Sequence, residues 1–452
     1  MMSSGGRRLS TSERRTRARP GAFALARAWR GAKARRLAIG LASATLASTA
    51  LAACGTSQAS TGPVTINYYS YPDHSGAVQQ AVNSCSKQSN GKYKITYNQL
   101  PLSADGQRQQ LVRRLAAGDP SMDILGLDVT WEAEFAEAGW ILPWTGTYKA
   151  QAVAGTLPGP LQTATWRGKL VAVPYNSNTQ LLWYRSDLVP NPPKTWAEMF
   201  ADAARLAQQG KPHLIEIQGA QYEGVVVWFN TLLASAGGSV LTSNAAHVSL
   251  GARAVKALSI MHQLATSKFA DPSLSVQMED ANRLAMEAGS AAFQLNYPFV
   301  YPAMKADNPK LFKVFKWAPY PRVDPNIPAH VTIGGIDLAV SSYSQHPSLA
   351  FQAALCIRDR PNQLINATLG GVPPTLASLY SDPKLFPDYP FHADILKELS
   401  TAAVRPKTPA YQIVSIAISH AVSPPGTINP AATEKTMATQ INNALQSKGL
   451  VP

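Results

Sequence analysis

The chain has 452 residues, of which 45% are hydrophobic and 15% charged, with three Cys. That length predicts two or three domains with ample core, and the apolar share excludes disorder throughout. The formal net charge of +14 would suit a nucleic-acid groove, but residues 1–53 hold 11 basic residues and one acid, so the other 399 carry only +4 and a basic groove loses its support.

The N-terminal segment reads as an address. A basic region ends at Arg35-Arg36, and residues 37–53, LAIGLASATLASTALAA, carry no charge. This run is short of the roughly 20 strongly apolar residues of a membrane span. It has the form of a secretory signal: basic, then apolar, then small residues before a cut. Leu51-Ala52-Ala53-Cys54-Gly55 matches the bacterial lipobox, in which Cys54 becomes the lipid-modified first residue. Residues 54–63 are then a polar, Gly/Ser-rich tether. Two acyl chains would hold the folded part on the outer face of a cell membrane. An ordinary signal peptide with a chance Cys is the alternative. Cys85 and Cys356 remain; an even pair in an exported chain is a candidate disulfide, and two separate buried thiols are the other reading. Neither has metal-ligand spacing.

Val64–Tyr69 reads as a strand, Ala77–Gln88 as a helix and Tyr93–Tyr97 as a second strand. Gln107–Ala117 is helical with Leu111, Val112 and Leu115 on one face, and Met122–Leu127 is a buried strand ending at Asp128. This alternation predicts parallel sheets with helices on both faces. Residues 64–174 make one α/β unit. Thr179–Tyr184 opens a second, with helical spacing or composition over 195–209, 224–236, 251–266 and 280–288. Strand character returns over Val331–Val340, a helix follows at 347–358, and the tail from about 393 is helical. A chain that crosses and crosses back gives two α/β lobes joined by several strands. They are 64–174 with about 330–375, and 175–329 with about 376–452. Ligands in such folds bind where strand carboxyl ends face a crevice, here between the lobes.

Leu125–Trp131, Phe135–Trp140, Asn178–Arg185 and Gly334-Gly335, together with the lipobox, resemble the extracellular solute-binding proteins of carbohydrate ABC importers (family 1, similar to maltose-binding proteins). Val227–Leu233, Ser235–Leu241 and Ala402–Pro406 bring the resemblance nearest to the trehalose-binding lipoproteins of mycobacterial trehalose-recycling importers. The resemblance implies a periplasmic-binding-protein-like fold of class II. Two hinged α/β lobes would close on one sugar with no chemical step and no cofactor. The implied partners are a disaccharide, with trehalose ahead of maltose-type sugars and glycerophosphodiesters, and a membrane permease with a cytoplasmic ATPase. The implied state is a monomer. Ligand roles fall by position on Asp73, Gln107, Asp128, Asn178, Glu279, Tyr297, Gly335 and Arg405. Tyr297 departs from the pattern, standing where the family has Trp; the loop Tyr71–Gly76 also varies among relatives.

These residue types suit a sugar. Each hydroxyl both donates and accepts; carboxylates accept strongly, Asn and Gln do both, and Arg donates in a planar fork. Aromatic faces cover the C–H patches of the rings. Each candidate also has a structural alternative. Asp128 would cap a helix beginning near Trp131, and Glu279 would be a first-turn acid. Asn178 would form a turn, Tyr297 would fill a lobe interface, and Gly334-Gly335 would mark a bulge. Arg405 would hold the last helix. Glu132, Glu134 and Glu137 read as a solvated helix face and Trp228 as core. Two other functions compete: an exported glycoside hydrolase, with Asp128 and Glu279 as its carboxylate pair, and a structural surface lipoprotein with no ligand.

Overall fold

A computed structural model describes residues 62–448. The signal segment, Cys54 and most of the tether lie outside the described residues.

The described chain builds two main sheets. The first runs, edge to edge, Tyr93–Gln99, Val64–Ser70, Ile124–Asp128, Gly334–Val340, Val173–Asn178. Its first three strands are parallel, linked by the helices Ala77–Gln88 and Ala104–Ala116. The former buries Ala77, Val78, Ala81, Val82 and Cys85, the single stripe that a period of 3.6 produces. Gly334–Val340 runs antiparallel to both its neighbours. The expected parallel sheet is therefore mixed: this strand returns from the second sheet rather than through a local crossover helix, and it enters from the opposite end. The second sheet, Phe315–Ala318, Leu181–Arg185, Ala291–Asn296, Leu214–Glu216, has parallel pairing only between its last two strands.

Each sheet has its own apolar core. Tyr68, Ile124, Leu127, Trp144 and Val340 are among the residues of the first. Trp196, Phe229, Leu258, Phe293 and Ile418 belong to the second. Trp228 lies in the second core, stacked 6.3 Å from Trp196. A third cluster, with Trp183, Tyr389 and Phe391, packs against the outer part of the second sheet. A disulfide joins Cys85 to Cys356 and so ties the Ala77–Gln88 helix to Pro347–Ile357.

The chain passes between the sheets at residues 178–181, 331–334 and 402–405. The second and third passes are pinned to each other: Ile333 N donates to the Ala403 carbonyl at 2.9 Å and Ala403 N to the Val331 carbonyl at 2.8 Å. Thr332 adds a buried side-chain link, accepting from Asn230 Nδ2 at 2.9 Å while its amide donates to Thr231 Oγ1 at 3.1 Å. A buried polar group left unpaired would cost about 1–3 kcal/mol, so these bonds specify the crossing.

The solvated face expected of Glu132, Glu134 and Glu137 holds for Glu137, which is exposed, and is corrected for Glu132 and in part for the half-buried Glu134. Glu132 is 1% exposed, set against the buried Asp337, and burial followed by the Asp337 charge pushes its carboxyl well up. Glu134 accepts from Arg108 Nε at 2.7 Å, and Glu137 from Trp166 Nε1 at 2.6 Å. Glu132 shares the buried side of the helix Glu132–Glu137 with Ala133 and Phe135, which is why it leaves solvent while Glu137 does not.

Candidate functional site

Between the sheets lies a cavity of about 860 Å³, and Asp73, Gln107, Asp128, Asn178, Glu279, Tyr297, Gly335 and Arg405 all line it. Asp128 and Asn178 end strands of the first sheet, and Gly335 is the second residue of the strand between theirs. Tyr297 follows the last residue of Ala291–Asn296, Glu279 opens the helix Glu279–Glu287, and Arg405 stands on the third pass. The crossover thus gathers at one place residues that are hundreds of positions apart.

Arg405, 4% exposed, is the centre of the floor. Its Nη1 donates to Glu223 Oε1 at 2.5 Å and its Nη2 to Asp128 Oδ1 at 3.2 Å. Burial alone would pull the guanidinium down, but Asp128, Tyr411 and Glu223 outweigh it and hold it well above its ordinary value. Burial pushes Glu223 up, and Arg405 and the hydroxyls of Ser415 and Tyr411, which donate to it, counter that. Asp128 Oδ1 also accepts from the Thr130 amide at 3.1 Å and the Thr130 hydroxyl at 2.8 Å. The capping alternative for Asp128 is thus met as a local turn. Arg405, for its part, pairs with Asp128 and Glu223.

Glu279 is half-buried. Burial pushes its carboxyl up, and the neighbouring Tyr222 hydroxyl partly offsets this. Its backbone carbonyl accepts from Asn296 Nδ2 at 3.0 Å, while the Asn296 Oδ1 holds the Tyr297 amide at 2.8 Å. One buried amide therefore positions both Glu279 and Tyr297. Gln107 is buried on the first turns of its helix, and its side-chain nitrogen reaches the Leu102 carbonyl at 3.4 Å. Asn178 pairs through its backbone with Gly334.

Gly335 has φ of 135°, and a Cβ there would stand 2.4 Å from the Asn176 carbonyl oxygen. No L side chain fits, and the pairing with Val173–Asn178 shifts register one residue later, between Ile336 and Asp337. The bulge reading and a close approach to the cavity are one feature here. Asp73 is largely engaged: its Oδ1 accepts from the Ser75 amide at 2.9 Å and hydroxyl at 2.6 Å, and its Oδ2 from the Val78 amide at 2.8 Å. A carboxylate offers about four acceptor sites, so little of Asp73 is left for a ligand.

Among the cavity residues outside the sequence reading are Asn176, Tyr222 and Glu223. Glu223 looks like any first-turn acid of a helix, but the helix Glu223–Ser235 is buried almost all round. An acid on an otherwise apolar helix was the available signal that a buried cation must face it. Asn176 accepts from the Ile336 amide at 3.0 Å, while its Nδ2 is buried without a partner. Among the described residues no group of three or more His, Cys, Asp or Glu could hold a metal.

Two mixed sheets, a crossover of several strands and a polar cleft at strand ends define a periplasmic-binding-protein-like α/β protein of class II. A maltose-bound MalE3 of T. maritima superposes with a TM-score of 0.78 at 28% identity, covering 84% of this chain and 99% of that one. The GacH receptor of Streptomyces glaucescens, solved unliganded and with acarbose, shares the fold at 20% identity, TM-score 0.75, covering 86% and 100%. An ABC transporter-binding protein of Deinococcus radiodurans is 27% identical over 365 residues, 76% of this chain and 86% of that one. Residues 71–354 match the family model of bacterial extracellular solute-binding proteins, and the chain belongs to that family.

Proposed function

We propose that this protein is the sugar receptor of an ABC importer. Anchored through lipidated Cys54 on the outer face of the cell membrane, it binds a disaccharide, trehalose first among candidates, and hands it unaltered to a permease driven by a cytoplasmic ATPase. The lobes are 64–174 with about 330–375 and 175–329 with about 376–452, with the strand through Asn178 serving as a crossing element. The single observation that carries the reading is that eight polar, aromatic and glycine positions from both lobes line one cavity. Closure follows from differential affinity: a sugar bridging both walls stabilises the closed arrangement over the open one.

The arrangement favours binding over hydrolysis. Asp128, one half of the carboxylate pair a glycosidase would need, is engaged by Arg405 and Thr130. A maltose-type ligand is the second reading, favoured by the maltose found in the T. maritima relative. Isothermal titration with trehalose, maltose and glycerophosphocholine separates these. Heat and saturation with trehalose support the first reading, and tighter maltose binding supports the second. Silence with every sugar, or release of monosaccharide during incubation, would overturn the receptor reading. Retention of Cys54→Ala protein at the membrane would overturn the anchor.

A further inference from the structure

We propose that the cleft selects its sugar by charge: it takes neutral sugars, prefers amino-substituted ones whose ammonium sits at Glu279 beside Tyr222 and Tyr297, and rejects anionic ones. The inference rests on the sugar-receptor reading and deepens it.

Six carboxyl residues line the cavity, Asp73, Asp128, Glu223, Glu279, Asp280 and Asp307, against two arginines, Arg283 and Arg405. Both guanidiniums are already engaged. Arg283 pairs with Asp280 at 3.2 Å, Glu287 at 2.7 Å and Asp307 at 2.9 Å. Arg405 pairs with Asp128 and Glu223. Asp73 is held by backbone and hydroxyl donors. Glu279 is the exception: among the described residues no basic side chain lies within 4.0 Å of its carboxylate. What stands beside it is Tyr222, whose buried hydroxyl meets no protein group other than this carboxyl, and Tyr297. A carboxylate with a neighbouring phenol oxygen and a second aromatic ring suits an ammonium, through charge-assisted hydrogen bonding and attraction to the ring face.

Two donors of cavity-lining residues also lack partners, Arg405 Nε and Asn176 Nδ2, both buried. They suit hydroxyl or ring oxygens. A full negative charge placed there would stand beside Asp128 and Glu223, and like charges in a desolvated cleft repel strongly. The cleft therefore has a place for an added positive charge and none for an added negative one.

The test is titration of the purified full chain at neutral pH with trehalose and maltose, each compared with its amino-deoxy derivative and its monophosphate. The expected order is amino, parent, phosphate, each step about tenfold, the size of one hydrogen bond to a charged group. In Glu279→Gln the amino-to-parent ratio falls toward one, whatever happens to the absolute affinities. Binding by a parent sugar with its derivatives equal to it, or with the phosphate tightest, overturns the charge inference and leaves the receptor reading intact. So does an amino preference that survives in Glu279→Gln. If none of these sugars binds, the receptor reading falls and the inference falls with it.

Discussion

Arg405 illustrates how one buried side chain couples affinity and stability. It is held from one side by Asp128, at the end of a first-sheet strand, and from the other by Glu223, at the start of a second-sheet helix. Removing either cleft-facing member removes a donor or acceptor that a sugar would meet. Asp128→Ala and Arg405→Ala are each expected to weaken sugar binding at least tenfold, about 1.4 kcal/mol, measured by titration. Unchanged affinity in both would remove these residues from the site. Glu223→Ala acts differently, since it leaves the buried guanidinium with Asp128 alone: breaking a buried pair outright costs about 3–5 kcal/mol, and the partner that remains keeps the loss toward the lower end. Chemical denaturation should show a loss of that order, with Glu223→Gln losing less because it keeps an acceptor for Tyr411 and Ser415. A second buried acid gives a pH signature. Burial pushes Glu216 up from 4.5 to about 8, against a hydrogen bond from Gln277 at 2.8 Å. The native state therefore holds a proton between about pH 4.5 and 8 that the unfolded chain releases. Its contribution to stability is thus lost as pH rises through that window, by up to about 1.4 kcal/mol per pH unit. Glu216→Gln should shrink the fall in melting temperature between the two ends of the window; an unchanged fall would place the titration elsewhere.

Strands and helices long enough to show a period were readable in advance. Ala77–Gln88 has the predicted bounds, and Val64–Ser70 and Gly334–Val340 overlap the runs expected of them. Leu214–Glu216 and Phe315–Ala318 were not foreseen. Three or four residues carry too little alternation to distinguish, and what makes them strands is the neighbour they pair with. Strand direction departs from the expected parallel pairing for a related reason: alternation of elements predicts parallel pairing only when consecutive strands share a sheet, and Gly334–Val340 comes home from another. In the site, residues next to a strong local pattern could be named, such as Asp128 after its apolar strand. Glu223 and Asn176 could not, because their importance lies in distant partners, Arg405 and Ile336. Gly335 ties backbone to site. Gly335→Ala should lower stability by more than about 1 kcal/mol, the size of strain in a disfavoured backbone region. Gly334→Ala, whose Cβ would stand 3.3 Å from Asn178 Cβ without positive φ, should cost less. Equal melting temperatures for the two would contradict the close approach at Gly335.

For the molecule as a whole, the arrangement amounts to two cores and one polar seam. The cores are separately apolar, so each can stay rigid while the seam between them changes. The three passes at residues 178–181, 331–334 and 402–405 each give a residue to the cavity, Asn178, Gly334 and Arg405, so a ligand held there touches the segments that join the two sheets. Hydrogen exchange on the full chain, with and without the sugar that titration selects, reads this directly. Protection should rise at Asp128–Thr130, Asn176–Asn178, Met278–Glu279, Gly334–Ile336 and Arg405, and stay unchanged on the far surface around Gly237–Arg253. Saturating sugar that protects the far surface instead, or leaves the cleft segments exchanging as before, would contradict a receptor that closes on its ligand at this seam.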